Sequence, residues 1–187
     1  RRARVMRVLV AGLVVVGALA ATLLYFEETQ PSWYARLRYP LEYEHIVRGH
    51  ARQYELDPAL VAAVIYRESK FDADAESSSG AIGLMQLLPD TALGIASFTE
   101  GSRFRVDDLY DPEINVRYGS FYLRRLLRKY GDERLALAAY NAGQANVDEW
   151  VSEGGEIRFA ETREYVEDVL EARNVYARAY RDELGLG

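Results

Sequence analysis

Residues 57–69 read DPALVAAVIYRES, and this stretch predicts a short helix that ends close to a carboxylate. Asp57 followed by Pro58 is a helix start, because aspartate caps the first turn and proline fits the first helical position. Apolar side chains fill the middle of the stretch at helical spacing, so one face of the helix is expected to be buried.

Glu68 is predicted to lie on that buried face. Val61, Val64 and Ile65 share a helix face with the position seven, four and three residues after them, which is residue 68. Loss of hydration raises the pKa of a carboxyl group in such a place. A carboxylic acid that stays protonated near neutral pH at the edge of a cleft is suited to protonate a leaving glycosidic oxygen.

The helix by itself leaves the role of Glu68 open. Structural ion pairs also bury carboxylates, and Arg67 and Arg117 are candidate partners for such a pair. Outward fraying at the helix end is a further alternative. The usual pair of glycosidase carboxylates is not evident, because the nearby loop acids are interpreted as solvated charges: Asp72, Asp74 and Glu76.

Composition excludes several classes of function. The chain has 187 residues, of which 49% are hydrophobic and 28% are charged, a balance typical of a folded domain. The absence of cysteine excludes a disulfide framework, a thiolate zinc site and a cysteine nucleophile. His45 and His50 lack metal-site spacing, and the loop from Asp72 lacks the glycine and glutamate of an EF-hand, so we expect no metal and no cofactor. A net charge of −6 disfavours nucleic-acid binding.

The N-terminal residues have the pattern of a single-pass membrane anchor. Residues 1–7 are basic, and no charged residue follows from Val8 to Phe26, a run near the ~20 residues that cross a bilayer as a helix. The positive-inside rule keeps residues 1–7 in the cytoplasm and exports everything after Phe26 to the periplasm or cell-wall space. Cleavage of a signal peptide after Ala20, which would give a secreted form, stays an alternative, and a buried core helix fits the pattern less well.

The rest of the chain is predicted to be helical. Residues 27–41 are interpreted as a linker punctuated by Pro31 and Pro40, and residues 42–187 as one domain. Residues 72–83 are small and polar, which predicts a loop. No window alternates as a strand does, so we expect an all-α domain of about six to eight helices.

Further helix starts follow the same rules. Asp111-Pro112 repeats the start signal, and Asp132 is placed to cap the next helix. A short helix is expected after Pro89, and the last helix from about Thr162.

Four motifs occur in order along the chain, with Asn115 and Gly119 between the second and the third. They are RESKF (67–71), SGAIGLMQL (79–87) followed by PDTA (89–92), AAYNAG (138–143) and ETREYV (161–166). This ordered set resembles the signature of the lytic transglycosylases, goose-lysozyme-like enzymes that cut the glycan of peptidoglycan. A lone Glu-Ser pair is weak evidence, whereas the ordered set is specific and covers about residues 45–180.

The resemblance implies a lysozyme-like fold and assigns a role to each matched residue. Glu68 is implied as the single catalytic acid and base. Ser69 is implied to bond the sugar or the catalytic carboxyl, Gln86 to bind an N-acetyl group, and Tyr165 to set the protonation of Glu68. The full set of substrate-binding residues implied by the motifs is Ser69, Gly83, Leu84, Met85, Gln86, Tyr140, Asn141 and Tyr165.

The implied reaction cleaves the β-1,4 bond between N-acetylmuramic acid and N-acetylglucosamine. Glu68 protonates the leaving oxygen and then deprotonates the C6 hydroxyl, which closes a 1,6-anhydro ring. The implied partners are peptidoglycan strands and the membrane, with no nucleic acid. Two alternatives stay open: a goose-type lysozyme-like hydrolase, and a non-catalytic wall-binding module on the same fold.

Overall fold

The protein divides into two units that are described separately. The structure, a computed structural model, describes residues 2–29, 31–98 and 103–187. Chain contacts define one unit over Arg1–Arg38 and a second over Tyr39–Gly187. The second unit carries every residue implied in substrate binding or catalysis, and its first residue lies three positions before the predicted domain start at 42.

The first unit consists of two helices. Helix α1 spans Arg2–Thr29 and α2 spans Ser32–Arg38, so α2 lies inside the segment predicted as a linker. Phe26 packs on α2, with its ring centroid 5.2 Å from that of Trp33 and 5.7 Å from that of Tyr34. Within the described residues, no helix has both the length and the apolar character needed to cross a membrane.

The second unit is all-helical, as the sequence predicts. A short 3-10 helix spans Val106–Tyr110, and strand-like pairing in the described residues is limited to isolated bridges between 76 and 82 and between 82 and 87. Its α-helices are α3 (Glu44–Gln53), α4 (Pro58–Ser69), α5 (Pro89–Phe98), α6 (Pro112–Tyr130), α7 (Glu133–Ala142), α8 (Gln144–Ser152) and α9 (Ala160–Ala179).

The predicted aspartate caps are confirmed. Asp57 accepts a hydrogen bond from the amide of Ala59 at 2.9 Å, and Asp132 accepts one from the amide of Leu135 at 2.9 Å. Asp111 caps α6 in the same way. These bonds satisfy amide groups that have no partner in the first helical turn, so the sequence fixes where α4, α6 and α7 begin.

Helix α4 is the centre of the second unit. Every residue from Ala59 to Ile65 is buried, and α9 packs along it with its own buried stripe, which includes Val166 and Val169. Arg173 of α9 binds the carboxylates of Asp57 at 2.6 Å and of Glu133 at 2.8 Å, and so joins the first turns of α4 and α7. The first turn of α4 is thereby held against α9.

The loop after α4 is fixed by one buried side chain, Asn115 of α6. Its amide group donates to the carbonyls of Ile82 and Leu109, each at 2.8 Å, and its oxygen accepts from the amide of Met85 at 2.8 Å. Gly83 lies against this amide with a φ of +77°, and a Cβ added there would stand 2.3 Å from the Asn115 side-chain nitrogen. Only glycine fits both the backbone conformation and the space.

Gly83 and Gly80 form a matched pair for testing this packing. Gly80 has a φ of +78°, but an added Cβ there would meet nothing within 4 Å. We expect Gly80→Ala to cost about 1 kcal/mol of unfolding free energy from backbone strain alone. Gly83→Ala should cost at least about 2 kcal/mol more, because its Cβ displaces Asn115. Urea denaturation measures both, and equal losses would contradict the packing described here.

Candidate active site

The end of α4 projects Glu68 into a cleft of about 500 Å³. Lys70 and Phe71 follow with left-handed φ values of 54° and 68°, so the chain turns away immediately after the helix. Such conformations are costly for residues other than glycine, and they end α4 directly after Ser69. The cleft is lined by Glu68, Ser77, Ser79, Ala81, Gln86, Leu87, Leu88, Thr91, Tyr122, Tyr140, Asn141, Ala142, Gly143 and Glu161.

Glu68 has one hydrogen-bond partner among the described residues. The buried hydroxyl of Tyr165 donates to Glu68 Oε1 at 2.6 Å. The ion pairs considered from the sequence do not form, because Arg67 binds Asp168 at 3.0 Å and Arg117 lies 5.5 Å from the ring centroid of Tyr118. Among the described residues, Glu68 therefore faces the cleft without an ion-pair partner.

Burial raises the pKa of Glu68 from an ordinary value of 4.5 to about 7, while the Tyr165 hydrogen bond and the charge of Arg67 act in the opposite direction. Desolvation prevails because the carboxylate loses water on most sides and gains only one donor. Its position in the last turn adds to this, since the C-terminal end of a helix carries partial negative charge. Glu68 is thus about half protonated at neutral pH.

The two tyrosines beside Glu68 stay neutral. Burial raises the pKa of Tyr165 and of Tyr140 well above the ordinary value, and the charge of Glu68 adds to the effect in both. Tyr140 donates its hydroxyl proton to the carbonyl of Met85 at 2.8 Å. Each phenol therefore acts as a fixed donor, and neither competes with Glu68 as the titrating group.

Gln86 presents an oxygen to the cleft. Its amide nitrogen lies 3.0 Å from the carbonyl of Ala75 and 2.9 Å from that of Gly83. Only the NH₂ end of the amide satisfies two carbonyl oxygens, so the orientation of the side chain is determined. The remaining oxygen is an acceptor for a ligand N–H group.

Asn141 is held by Thr162. The Thr162 hydroxyl donates to Asn141 Oδ1 at 2.8 Å, and Asn141 has no hydrogen bond to Glu68 among the described residues. Thr162 is buried, whereas Asn141 is exposed on the cleft surface. The Asn141 amide nitrogen is therefore left as a donor toward the cleft.

The other residues implied from the motifs lie behind the cleft surface. Ser69 donates its hydroxyl to the carbonyl of Leu84 at 2.9 Å and not to Glu68. Leu84 and Met85 are fully buried, and the sulfur of Met85 lies where a side chain at Gly119 would be. These residues and Gly83 shape the loop that carries Gln86, and their binding of substrate stays a prediction.

Several residues in the cleft or directly behind it are not among those predicted from the sequence. Thr162 lies inside a recognised motif, but its hydrogen bond to Asn141 spans 21 positions. Tyr122 of α6 packs on Tyr140 with ring centroids 5.5 Å apart, and Glu161 adds a second, exposed carboxylate to the lining. Glu161 belongs to the ETREYV motif, so its position near the site was predictable from the sequence.

Comparison with known proteins shows the family of the chain. The model of the transglycosylase SLT domain family matches residues 45–162. The soluble lytic murein transglycosylase of Salmonella typhimurium is 31% identical over 160 residues, which cover 79% of this chain and 24% of that protein. Membrane-bound lytic murein transglycosylase F of Yersinia pestis is 38% identical over 112 residues, covering 56% of this chain and 21% of that protein.

A solved structure gives the fold. An inactive Glu-to-Gln mutant of the lytic transglycosylase Slt from Pseudomonas aeruginosa superimposes with a TM-score of 0.73 at 29% identity, covering 83% of this chain and 27% of that one. The second unit therefore has an all-helical, lysozyme-like fold. The chain belongs to the transglycosylase SLT domain family. It spans about a quarter of the length of the curated relatives it matches.

Replacing Glu68 by glutamine should stabilise the protein above pH 5. The folded chain holds the carboxyl proton more tightly than the unfolded chain, so stability falls as pH rises from about 4.5 to about 7. Glu68→Gln removes this loss. The difference in unfolding free energy between Glu68→Gln and the parent should therefore vanish near pH 4 and grow to at most about 3 kcal/mol at pH 8.

Urea denaturation across pH measures this gap. Glu164→Gln on the exposed side of α9 is the matched control, because that side chain stays in water in the folded protein. A gap for Glu68→Gln that does not change with pH would contradict the burial of the charge.

Proposed function

We propose that the second unit cleaves peptidoglycan as a lytic transglycosylase with Glu68 as its single acid and base. The observation that carries the proposal is a carboxyl group in an open cleft whose one hydrogen-bond partner among the described residues is a neutral phenol, and whose burial raises its pKa to about 7. The names of the relatives, soluble and membrane-bound lytic murein transglycosylase, supply the substrate class.

The reaction needs one proton donor that can take a proton back. Glu68 protonates the oxygen that leaves C1 of N-acetylmuramic acid, and the glycosidic bond breaks. Its carboxylate then removes the proton of the C6 hydroxyl of the same sugar, whose oxygen attacks C1. The products are a free hydroxyl on the departing sugar and a 1,6-anhydro ring, so no water is consumed. A pKa near 7 suits both steps, because the group is then easily protonated and easily ionised.

The surrounding residues bind and orient the sugar in this proposal. The Gln86 oxygen accepts the N–H of an acetamido group, and the Asn141 nitrogen donates to a sugar oxygen. Tyr165 holds Glu68 in place, since its hydroxyl donates to Oε1 and leaves Oε2 to gain and lose the proton. Tyr140 and Tyr122 offer aromatic surface against which a sugar ring packs.

Product analysis tests the proposal. The full chain is incubated with purified peptidoglycan, and the released sugars are read by mass spectrometry without chemical reduction. We expect products lighter by one water that end in 1,6-anhydro-N-acetylmuramic acid. Glu68→Gln should abolish them, because glutamine has no proton to give.

Glu161→Gln is the matched control, because Glu161 lines the same cleft and is exposed. With a single acid and base, this variant still releases anhydro sugars. Reducing-end products in the parent would indicate a lysozyme-like hydrolase instead. Retained wall binding without any product would indicate a binding module.

We further propose, from the sequence, that the uncharged run from Val8 to Phe26 anchors the protein in a membrane, with the second unit on the outer side. The basic residues before this run and the exposure of large apolar side chains on α1, such as Leu13 and Val14, support the proposal. Fractionation of cells tests it. Retention in the membrane pellet after an alkaline carbonate wash is expected, and release into the wash would overturn it.

A further inference from the structure

An ion pair lies directly behind Tyr165. Arg67 of α4 donates from Nε to Asp168 of α9 at 3.0 Å. The guanidinium carbon of Arg67 stands 5.7 Å from the ring centroid of Tyr165, which is a cation–π distance. Tyr165 in turn donates to Glu68 at 2.6 Å. A continuous series of contacts therefore runs from the outer surface to the catalytic carboxyl.

The two residues of the ion pair each lie close in sequence to one member of the Tyr165–Glu68 hydrogen bond. Arg67 is the neighbour of Glu68 on α4, and Asp168 lies three residues after Tyr165, on the same side of α9. The pair joins the helix that carries the carboxyl to the helix that carries its donor. The planar guanidinium is suited to this position, because it bonds a carboxylate and packs on a ring at the same time.

We propose that Arg67 and Asp168 are positioning residues that hold Tyr165 on Glu68 and thereby set the upper pH limit of the reaction. The inference rests on the proposed function of Glu68. Arg67 acts in two ways: its charge favours the ionised carboxyl, and its contact with the Tyr165 ring keeps the phenol in donating range. Both effects oppose the burial that raises the pKa of Glu68.

The other groups around Glu68 do not replace this effect. Tyr140 of α7 is neutral and donates to Met85, so it supplies no charge. Gln86 and Asn141 are uncharged amides. Among the described residues, the charged and titratable groups near the site are therefore Arg67 on the same helix, Tyr122 on α6, Tyr140 on α7, and Glu161, Tyr165 and Asp168 on α9.

Arg67→Ala should move the upper pH limit. Removing the cation beside Glu68 and freeing the Tyr165 ring makes ionisation harder, so the descending limb of kcat/KM should shift upward by about half a pH unit. Arg67→Lys keeps the charge, so its upper pH limit of kcat/KM should lie closer to that of the parent than the limit of Arg67→Ala does. A purely structural role predicts a lower rate at every pH with no shift of the limb.

Arg134→Ala is the matched control. Arg134 binds Glu167, the residue before Asp168 on α9, in a comparably exposed ion pair away from the cleft. The descending limb of kcat/KM against pH in Arg134→Ala should coincide with that of the parent. An unshifted limb in Arg67→Ala, or equal shifts in Arg67→Ala and Arg134→Ala, would overturn the inference.

A second readout separates this inference from the proposed function. If the parent releases no sugar products, the proposed function fails, but the ionisation of Glu68 is still measurable by unfolding. The gap in unfolding free energy between each chain and its Glu68→Gln version levels off at the pKa of the folded state. The levelling pH should be about half a unit higher in the Arg67→Ala background than in the parent. Identical levelling would contradict the inference.

Discussion

The cleft of the second unit is built around one largely desolvated carboxyl group at the end of a buried helix. Glu68 is carried by the last turn of α4, whose residues from Ala59 to Ile65 are buried, so the backbone that holds it is anchored in the core. Its single hydrogen bond comes from Tyr165 at 2.6 Å, on the helix that packs along α4. The core thus determines both the pKa of the acid and the direction in which it points.

A second set of contacts fixes the loop between α4 and α5, which carries Gln86 to the same cleft as Glu68. Asn115 joins the carbonyls of Ile82 and Leu109 and the amide of Met85 in one buried network, which fixes the loop without regular secondary structure. Two carbonyls of the loop region orient Gln86, and Thr162 orients Asn141. The cleft is consequently preorganised, with its polar groups already directed before any ligand binds.

Features that depend on neighbours within one or two helical turns were predicted correctly from the sequence. The Asp57, Asp111 and Asp132 caps and the facing of Glu68 follow from spacing within one or two helical turns, and the structure confirms them. The motif residues were harder to place, because Leu84 and Met85 turn inward through the bond of Met85 to Asn115, which is 30 positions away. The helix α2 was also missed, since a short helix between two prolines carries a weak periodic signal.

The central claim is that burial keeps the Glu68 carboxyl protonated up to neutral pH. The most direct measurement is a carbon-13 NMR titration of the full chain with labelled glutamate carboxyl groups, in which the Glu68 signal is assigned by its loss in Glu68→Gln. Because the carboxyl group is buried, we expect a midpoint near pH 7 for this signal. A midpoint near 4.5, the ordinary value, would contradict it.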